Sequence, residues 1–207
     1  MKRYKKRIRR IISVVAAVIL FFYWLQTYGV HMDDKESECV SVFGWITKSD
    51  RVPEEESAPF ENLQPGDILL TLSTHTLGWR HGHAGLVIDE DSVLECRILG
   101  KDSAIVKIRE WRRYSNYVVL RVKNITEEKQ QAVVSFAREN LCGVPYRLSA
   151  GLWTRDADGL QCAYLVWCAW QHLGYNLDSD GGRLVTVRDI LLSEETEVIQ
   201  TYGFDLK

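Results

Sequence analysis

The pattern of apolar and polar positions divides the chain into four stretches. Residues 11–25 (IISVVAAVILFFYWL) are apolar without interruption, and 26–30 extend the run. About twenty helical residues cross the hydrocarbon core of a bilayer, so an N-terminal transmembrane helix is expected over 11–30. Residues 31–60 lose that pattern and are polar and rich in acids, as in a tether that lifts a folded domain off the membrane. Within it, Phe43, Trp45 and Ile46 form an apolar patch suited to docking on that domain.

From residue 61 the texture is that of a packed domain. A QPGD turn at 64–67 leads into DILLTL, followed by HAGLVID, VLECRI, AIVKI and YVVLRV. Each is of strand length and rich in β-branched residues, which predicts a meander of antiparallel strands. Thr126 then offers an N-cap, Glu127 and Glu128 fall in the first turn, and Ala132, Val133, Phe136, Ala137, Asn140 and Leu141 recur at helical spacing. A helix over 126–141 follows. A loop rich in glycine and aspartate leads to CAYLVWCAWQHLG, a second helix opened by Cys162 and stopped by Gly174. A short third helix begins near Thr186, and EVIQTY is placed to close the sheet. The fold class is α+β, a small antiparallel sheet or half-barrel packed against helices, over 61–207.

Composition changes this picture little, but charge changes it more. The 207 residues suffice for one packed domain plus a targeting segment. Seven of the first ten residues are Lys or Arg, so a formal net charge of −2 leaves the rest of the chain at about −9. An acidic body offers no footprint for a phosphate backbone, and nucleic acid is not expected as a partner. The basic head at 1–10 instead marks the cytoplasmic side of the anchor and puts the domain outside the cell. The run ends FFYWLQTY rather than in small residues, which favours an uncleaved anchor over a cleaved signal peptide. Five cysteines, with no CxxC among them, do not form a disulfide framework.

The candidate chemistry centres on Cys162. At a helix start, backbone N–H groups and the macrodipole favour a thiolate, and the same amides suit an oxyanion. The hairpin 83–98 supplies a base. With its turn near residue 90, positions summing to 178 face each other, which sets Glu95 opposite His83. A carboxylate there holds one imidazole nitrogen and leaves the other to deprotonate a thiol. His81, His83 and Cys96 lack a further well-spaced metal ligand, so neither metal nor cofactor is expected. Cys168 lies on the far side of its helix from Cys162 and reads as core. Asp67 reads as a turn cap, His75 as a rim residue, and Trp79, Trp153 and Trp167 as core or groove walls.

The segment GVPYRLSAGLWTRDADGLQCAYLVWCAWQHLGYNL resembles the surroundings of the nucleophile in NlpC-type cell-wall cysteine hydrolases, and GHAGLVI resembles their histidine strand. Here the histidine precedes the cysteine. That order, with PGDILLT, VLE and CxxLVW, resembles the circularly permuted branch of YiiX, YaeF, YebB and YycO-like proteins over about residues 63–195. The resemblance implies a permuted papain-like fold and a Cys162, His83, Glu95 triad, with Tyr146 lining the site. Gln161, which departs from the family pattern, and His81 are expected as further substrate contacts. Ala163 departs from the serine that many relatives carry. The expected activity is thiol amidase or peptidase chemistry on cell-wall peptides; the alternatives are a lipid amide or ester hydrolase or acyltransferase, and a membrane-tethered binding module that keeps the fold without turnover.

Overall fold

The computed structural model describes residues 2–28, 37–39, 47–76, 79–151 and 159–203. Helix α1 covers Lys2–Tyr28. Its apolar side chains from Ile11 to Leu20 include Ile12, Val14, Val15, Val18 and Ile19, and all are exposed. Among the described residues no helix is long and apolar enough to cross a membrane. Of the span expected at 11–30, the side chains of 21–30 lie outside the described ones.

Residues 47–60, expected to belong to the tether, lie on the domain. Strand β1 (Ser37–Cys39) pairs with β2 (Thr47–Asp50), which pairs in turn with β4 (Thr74–Thr76) and through it with β5 (Trp79–Arg80). Asp50 and Arg51 are buried, and Ala58, Phe60 and Leu63 pack on the main sheet. The segment packs Ala58 and Phe60 onto the sheet while the run Glu54–Glu56 stays in water, and buried Asp50 is matched by Arg80 and His75. Phe43, Trp45, Ile46 and Trp153 lie outside the described residues.

The main sheet has six antiparallel strands in the order β10-β9-β3-β6-β7-β8. These are β3 (Ile68–Thr71), β6 (His83–Asp89), β7 (Ser92–Glu95), β8 (Ala104–Lys107), β9 (Tyr117–Val122) and β10 (Thr196–Tyr202). The antiparallel strands are present as expected and β3, β6, β7 and β8 follow in meander order, but YVVLRV departs from it: β9 crosses over to pair with β3 rather than with β8, and the EVIQTY segment joins the edge beside it. Both faces of the central strands are covered, which explains why they read as continuous apolar runs. One face carries helices α3 (Glu127–Asn140), α4 (Cys162–Gln171) and α5 (Val187–Leu191), packed through Val133, Ala137, Leu165, Ala169 and Ile190. On the other, Leu69, Val87, Val93, Tyr117 and Val119 meet Trp111 of the short helix α2 (Arg109–Arg112) and the 58–63 strap. Each fully buried aliphatic side chain contributes about 1.5–3 kcal/mol.

The helix boundaries follow from their caps. Thr126 accepts from the Lys129 N–H, Gln161 caps α4, and Thr186 with Asp189 forms a capping box on α5. Gly174 ends the α4 segment at φ +87°, a conformation that glycine adopts without strain.

The 83–98 hairpin departs from its expected register. Gly85 faces Glu95 and Leu86 faces Leu94, with a bulge between Val87 and Asp89. His83 is thus diagonal to Glu95 rather than opposite it. The bulge near the turn inserts a residue that the even alternation of the sequence does not reveal.

Asp67 is the turn residue expected from QPGD. Its side chain is fully buried, accepts the Gln64 N–H at 2.7 Å and pairs with Arg121 through two bonds of 2.8 Å. Removing one member of such a pair leaves a buried charge unmatched. Asp67→Ala is expected to lower stability by about 3–5 kcal/mol in chemical denaturation, through loss of the link between the β3 entry and β9.

Candidate functional site

Four local features build the site. Strand β6 begins at His83, β7 ends at Glu95, α4 begins at Cys162, and α2 lays an indole against the sheet. His83 and Glu95 are 3% and 2% exposed, whereas Cys162 is half-buried at the helix start.

His83 Nε2 bonds Glu95 Oε2 at 2.9 Å. The two-residue register difference keeps both side chains on one face, and the length of a glutamate spans the diagonal. The imidazole is also coupled electrostatically to Cys162. With Nε2 engaged by Glu95, Nδ1 is the nitrogen left for the sulfur. His83 is thus bonded to Glu95 on one side and coupled to Cys162 on the other.

Glu95 is held from two further directions. Trp111 Nε1–H donates to the same Oε2 at 3.0 Å, and Arg97 lies 2.7 Å from Oε1. The Trp111 ring stacks on the imidazole with centroids 5.1 Å apart and planes 18° apart. Tyr114 meets both rings, and the Arg51 guanidinium covers Tyr114 at 3.8 Å. Trp111, Tyr114 and Arg97 escaped sequence reasoning. Arg97 carried a signal, since i and i+2 share a strand face with Glu95; Trp111 carried none, because its approach is a tertiary contact.

Electrostatics favour a thiolate and imidazolium pair. Burial by itself would lower the His83 pKa, but Tyr114, the hydrogen bond to Cys162 and the Glu95 carboxylate together raise it to about 10. Burial would raise the Cys162 pKa, yet the His83 hydrogen bond and charge, with the backbone amides of Ala84 and Ala163, bring it below the usual thiol range. Glu95 is held as a carboxylate: burial opposes the charge, and His83, Arg97 and Trp111 outweigh it.

The remaining expected contacts fall in different places. Tyr146 is half-buried beside Cys162 and Cys96, bridged by its backbone to Leu160, and burial pushes its hydroxyl pKa up. Gln161 is buried and turned inward. Its Oε1 accepts from Ala163 N at 2.9 Å and lies 3.7 Å from the Cys162 sulfur, and its Nε2 donates to Val185 O at 2.6 Å. It therefore serves as the helix cap, and the Ala163 amide is shared between that cap and the sulfur. His81 bonds Thr76 Oγ1 and the Gly82 carbonyl, both at 2.9 Å, and burial lowers its pKa. His75 bonds Asp50 at the small sheet.

No protein-family model matches the chain, and no curated protein does. Among solved structures, the chain is similar to the crystal structure of metalloprotein YiiX from Escherichia coli O157:H7, of the DUF1105 type, with a TM-score of 0.52 and 17% identity over 66% of this chain and 96% of that one. The fold is thus YiiX-like. A metal fits the neighbourhood of Cys162 poorly, since His81 has both ring nitrogens bonded and burial pushes the Cys96 thiol up to about 12. Among the described residues, Asp178, Asp180 and Asp189 bring carboxylate oxygens within 4.8 Å of one another. Those oxygens accept from Gly181 N, Gly182 N, Ser179 and Thr186, as turn and cap acceptors.

A lowered Cys162 pKa beside a raised His83 pKa fixes the sign of the pH dependence. Thiolate forms as pH rises through the lowered Cys162 value, and the imidazolium persists up to about 10. Alkylation of Cys162 by iodoacetamide, followed by peptide mass spectrometry, is expected to stay fast well below the ordinary thiol midpoint of about 8.5. In His83→Ala the midpoint moves up to that ordinary value.

Proposed function

We propose that this chain is a membrane-anchored cysteine hydrolase, a thiol amidase or peptidase, in which Cys162 is the nucleophile, His83 the acid and base, and Glu95 the group that orients His83. The observation that carries the reading is the buried His83–Glu95 hydrogen bond, with Cys162 at a helix start coupled to the same imidazole.

The Cys162 thiolate attacks an amide or ester carbonyl carbon, forming the S–C bond and moving the carbonyl π electrons to oxygen. The resulting oxyanion is met by backbone N–H groups at the α4 start. His83, protonated at that stage, gives its proton to the leaving amine or alcohol as the C–N or C–O bond breaks. Water then adds to the thioester with His83 as base, and the thiolate leaves with a carboxylic acid as product. Glu95 keeps Nε2–H pointed at itself throughout, so the proton moves only on the Nδ1 side.

The basic head and the apolar run 11–30 support anchoring with the domain outside the cell. That location favours peptide or amide bonds of cell-wall peptidoglycan as substrate. An acyl-lipid substrate is the second reading, and two exposed leucines, each two residues from an end of the backbone bond that holds Tyr146, favour it. Leu148 is 74% exposed and Leu99 53%, next to a backbone tie from Tyr146 N to Lys101 O.

Incubating the full chain with peptidoglycan fragments and with acyl lipids, followed by mass analysis of the products, separates the two substrates. Cys162→Ala is expected to reduce turnover to background, and turnover that survives it would remove the assignment. Deleting residues 1–30 is expected to move the protein from the membrane fraction to the soluble fraction on cell fractionation.

A further inference from the structure

Nothing in the nucleophile, the base or the orienting carboxylate requires an aromatic residue from the far face of the sheet, yet one is built into this site. We propose that Trp111 is a positioning residue: its indole N–H and ring face together fix the Glu95 carboxylate and the His83 imidazole in the geometry that serves Cys162, in a slot that Gly85 keeps open. The proposal rests on reading Cys162 and His83 as nucleophile and base.

Three observations carry it. Glu95 Oε2 accepts two donors, His83 Nε2 at 2.9 Å and Trp111 Nε1 at 3.0 Å, while Arg97 holds Oε1 at 2.7 Å. A carboxylate with only its histidine bond keeps rotational freedom about its terminal torsion; a second donor on the same oxygen and a cation beside the other restrict it. The indole then lies nearly parallel to the imidazole, 18° between planes, and so restricts the ring rotation that would carry Nδ1 away from the sulfur. Lastly, the indole reaches this position only because residue 85 has no side chain. A Cβ at Gly85 would stand 2.8 Å from Trp111 Cζ2 and 2.6 Å from Val93 Cγ1, closer than real contacts allow. His83 and Gly85 alternate onto the same face of β6, so the gap opens directly beside the histidine.

Packing alone does not account for this arrangement. A buried aromatic residue of any kind would fill the space between Val87, Val93 and Tyr114. Only an indole fills it and also donates to Oε2. The sign of the effect follows. Losing that donor loosens Glu95, so His83 is less well held as the imidazolium and Cys162 less well held as the thiolate.

The test compares the full chain with Trp111→Phe, which keeps a ring and removes the donor, and with Gly85→Ala, which keeps Trp111 but crowds its indole out of the slot. Two readouts are taken: the pH midpoint of Cys162 alkylation and the titration of the His83 ring by NMR. In both variants the Cys162 midpoint is expected to rise by about one pH unit and the His83 midpoint to fall. Midpoints that stay at the wild-type values or move the opposite way, with only the melting temperature lowered, would overturn the proposal and leave Trp111 as packing. The two readings fail separately. A wild-type chain without turnover in which Trp111→Phe still lowers the His83 midpoint removes the hydrolase and keeps the positioning role. A wild-type chain that turns over while both variants keep its profile does the reverse.

Discussion

The structure around the site depends on one buried charge. Glu95 is almost wholly excluded from water, and a carboxylate in that position costs several kcal/mol unless its oxygens are matched by donors or cations. His83, Trp111 and Arg97 match them. Each partner imposes a condition on the fold. His83 must open β6, Arg97 must lie two residues along from Glu95, and α2 must approach the sheet closely enough for an indole to reach across Gly85. Tyr114 then meets that indole edge-on and the Arg51 guanidinium covers Tyr114, which ties the 47–60 segment to the same centre.

The sheet separates two tasks. Its helix face brings Cys162, because α4 packs through Leu165 and Ala169 and so holds its first residue over the end of β6. Its opposite face holds His83 in place, through Trp111 and Tyr114. His83 stands at the strand start, where the two faces meet at the sheet's end. This explains how one imidazole touches both a cysteine from the helical layer and a carboxylate backed by the aromatic layer. It also explains why the central strands carry apolar residues at consecutive positions.

Gln161 illustrates how a residue can be near the chemistry and serve the scaffold. Its position next to the nucleophile invites a substrate role, but its amide bridges the Ala163 N–H and the Val185 carbonyl. The cap fixes the first turn of α4 against the α5 approach, and with it the direction of the Cys162 side chain. His81 is similar, since both ring nitrogens are engaged within its own loop and the small sheet.

Local rules carried by the chain were sufficient for the elements. Strand alternation, the Thr126 and Thr186 caps, the QPGD turn, Gly174 and the placement of Cys162 at a helix start are all short-range consequences of side-chain shape and backbone hydrogen bonding, and each was legible from neighbouring residues. The pairing of His83 with Glu95 was legible as a face, because a two-residue error in register leaves the face unchanged. The register itself was not, since the bulge near Asp89 depends on how β6 and β7 twist against their neighbours. Trp111, Arg51 and the 58–63 strap were beyond reach for a stronger reason. What they do is set by contacts between segments far apart in the chain, and no local pattern records which aromatic residue will find the space that a glycine leaves. The sequence by itself determined which groups could act and on which elements they sit; only the tertiary structure decided which of them meet, because burial of the Glu95 charge is satisfied by residues that three-dimensional packing alone brings together.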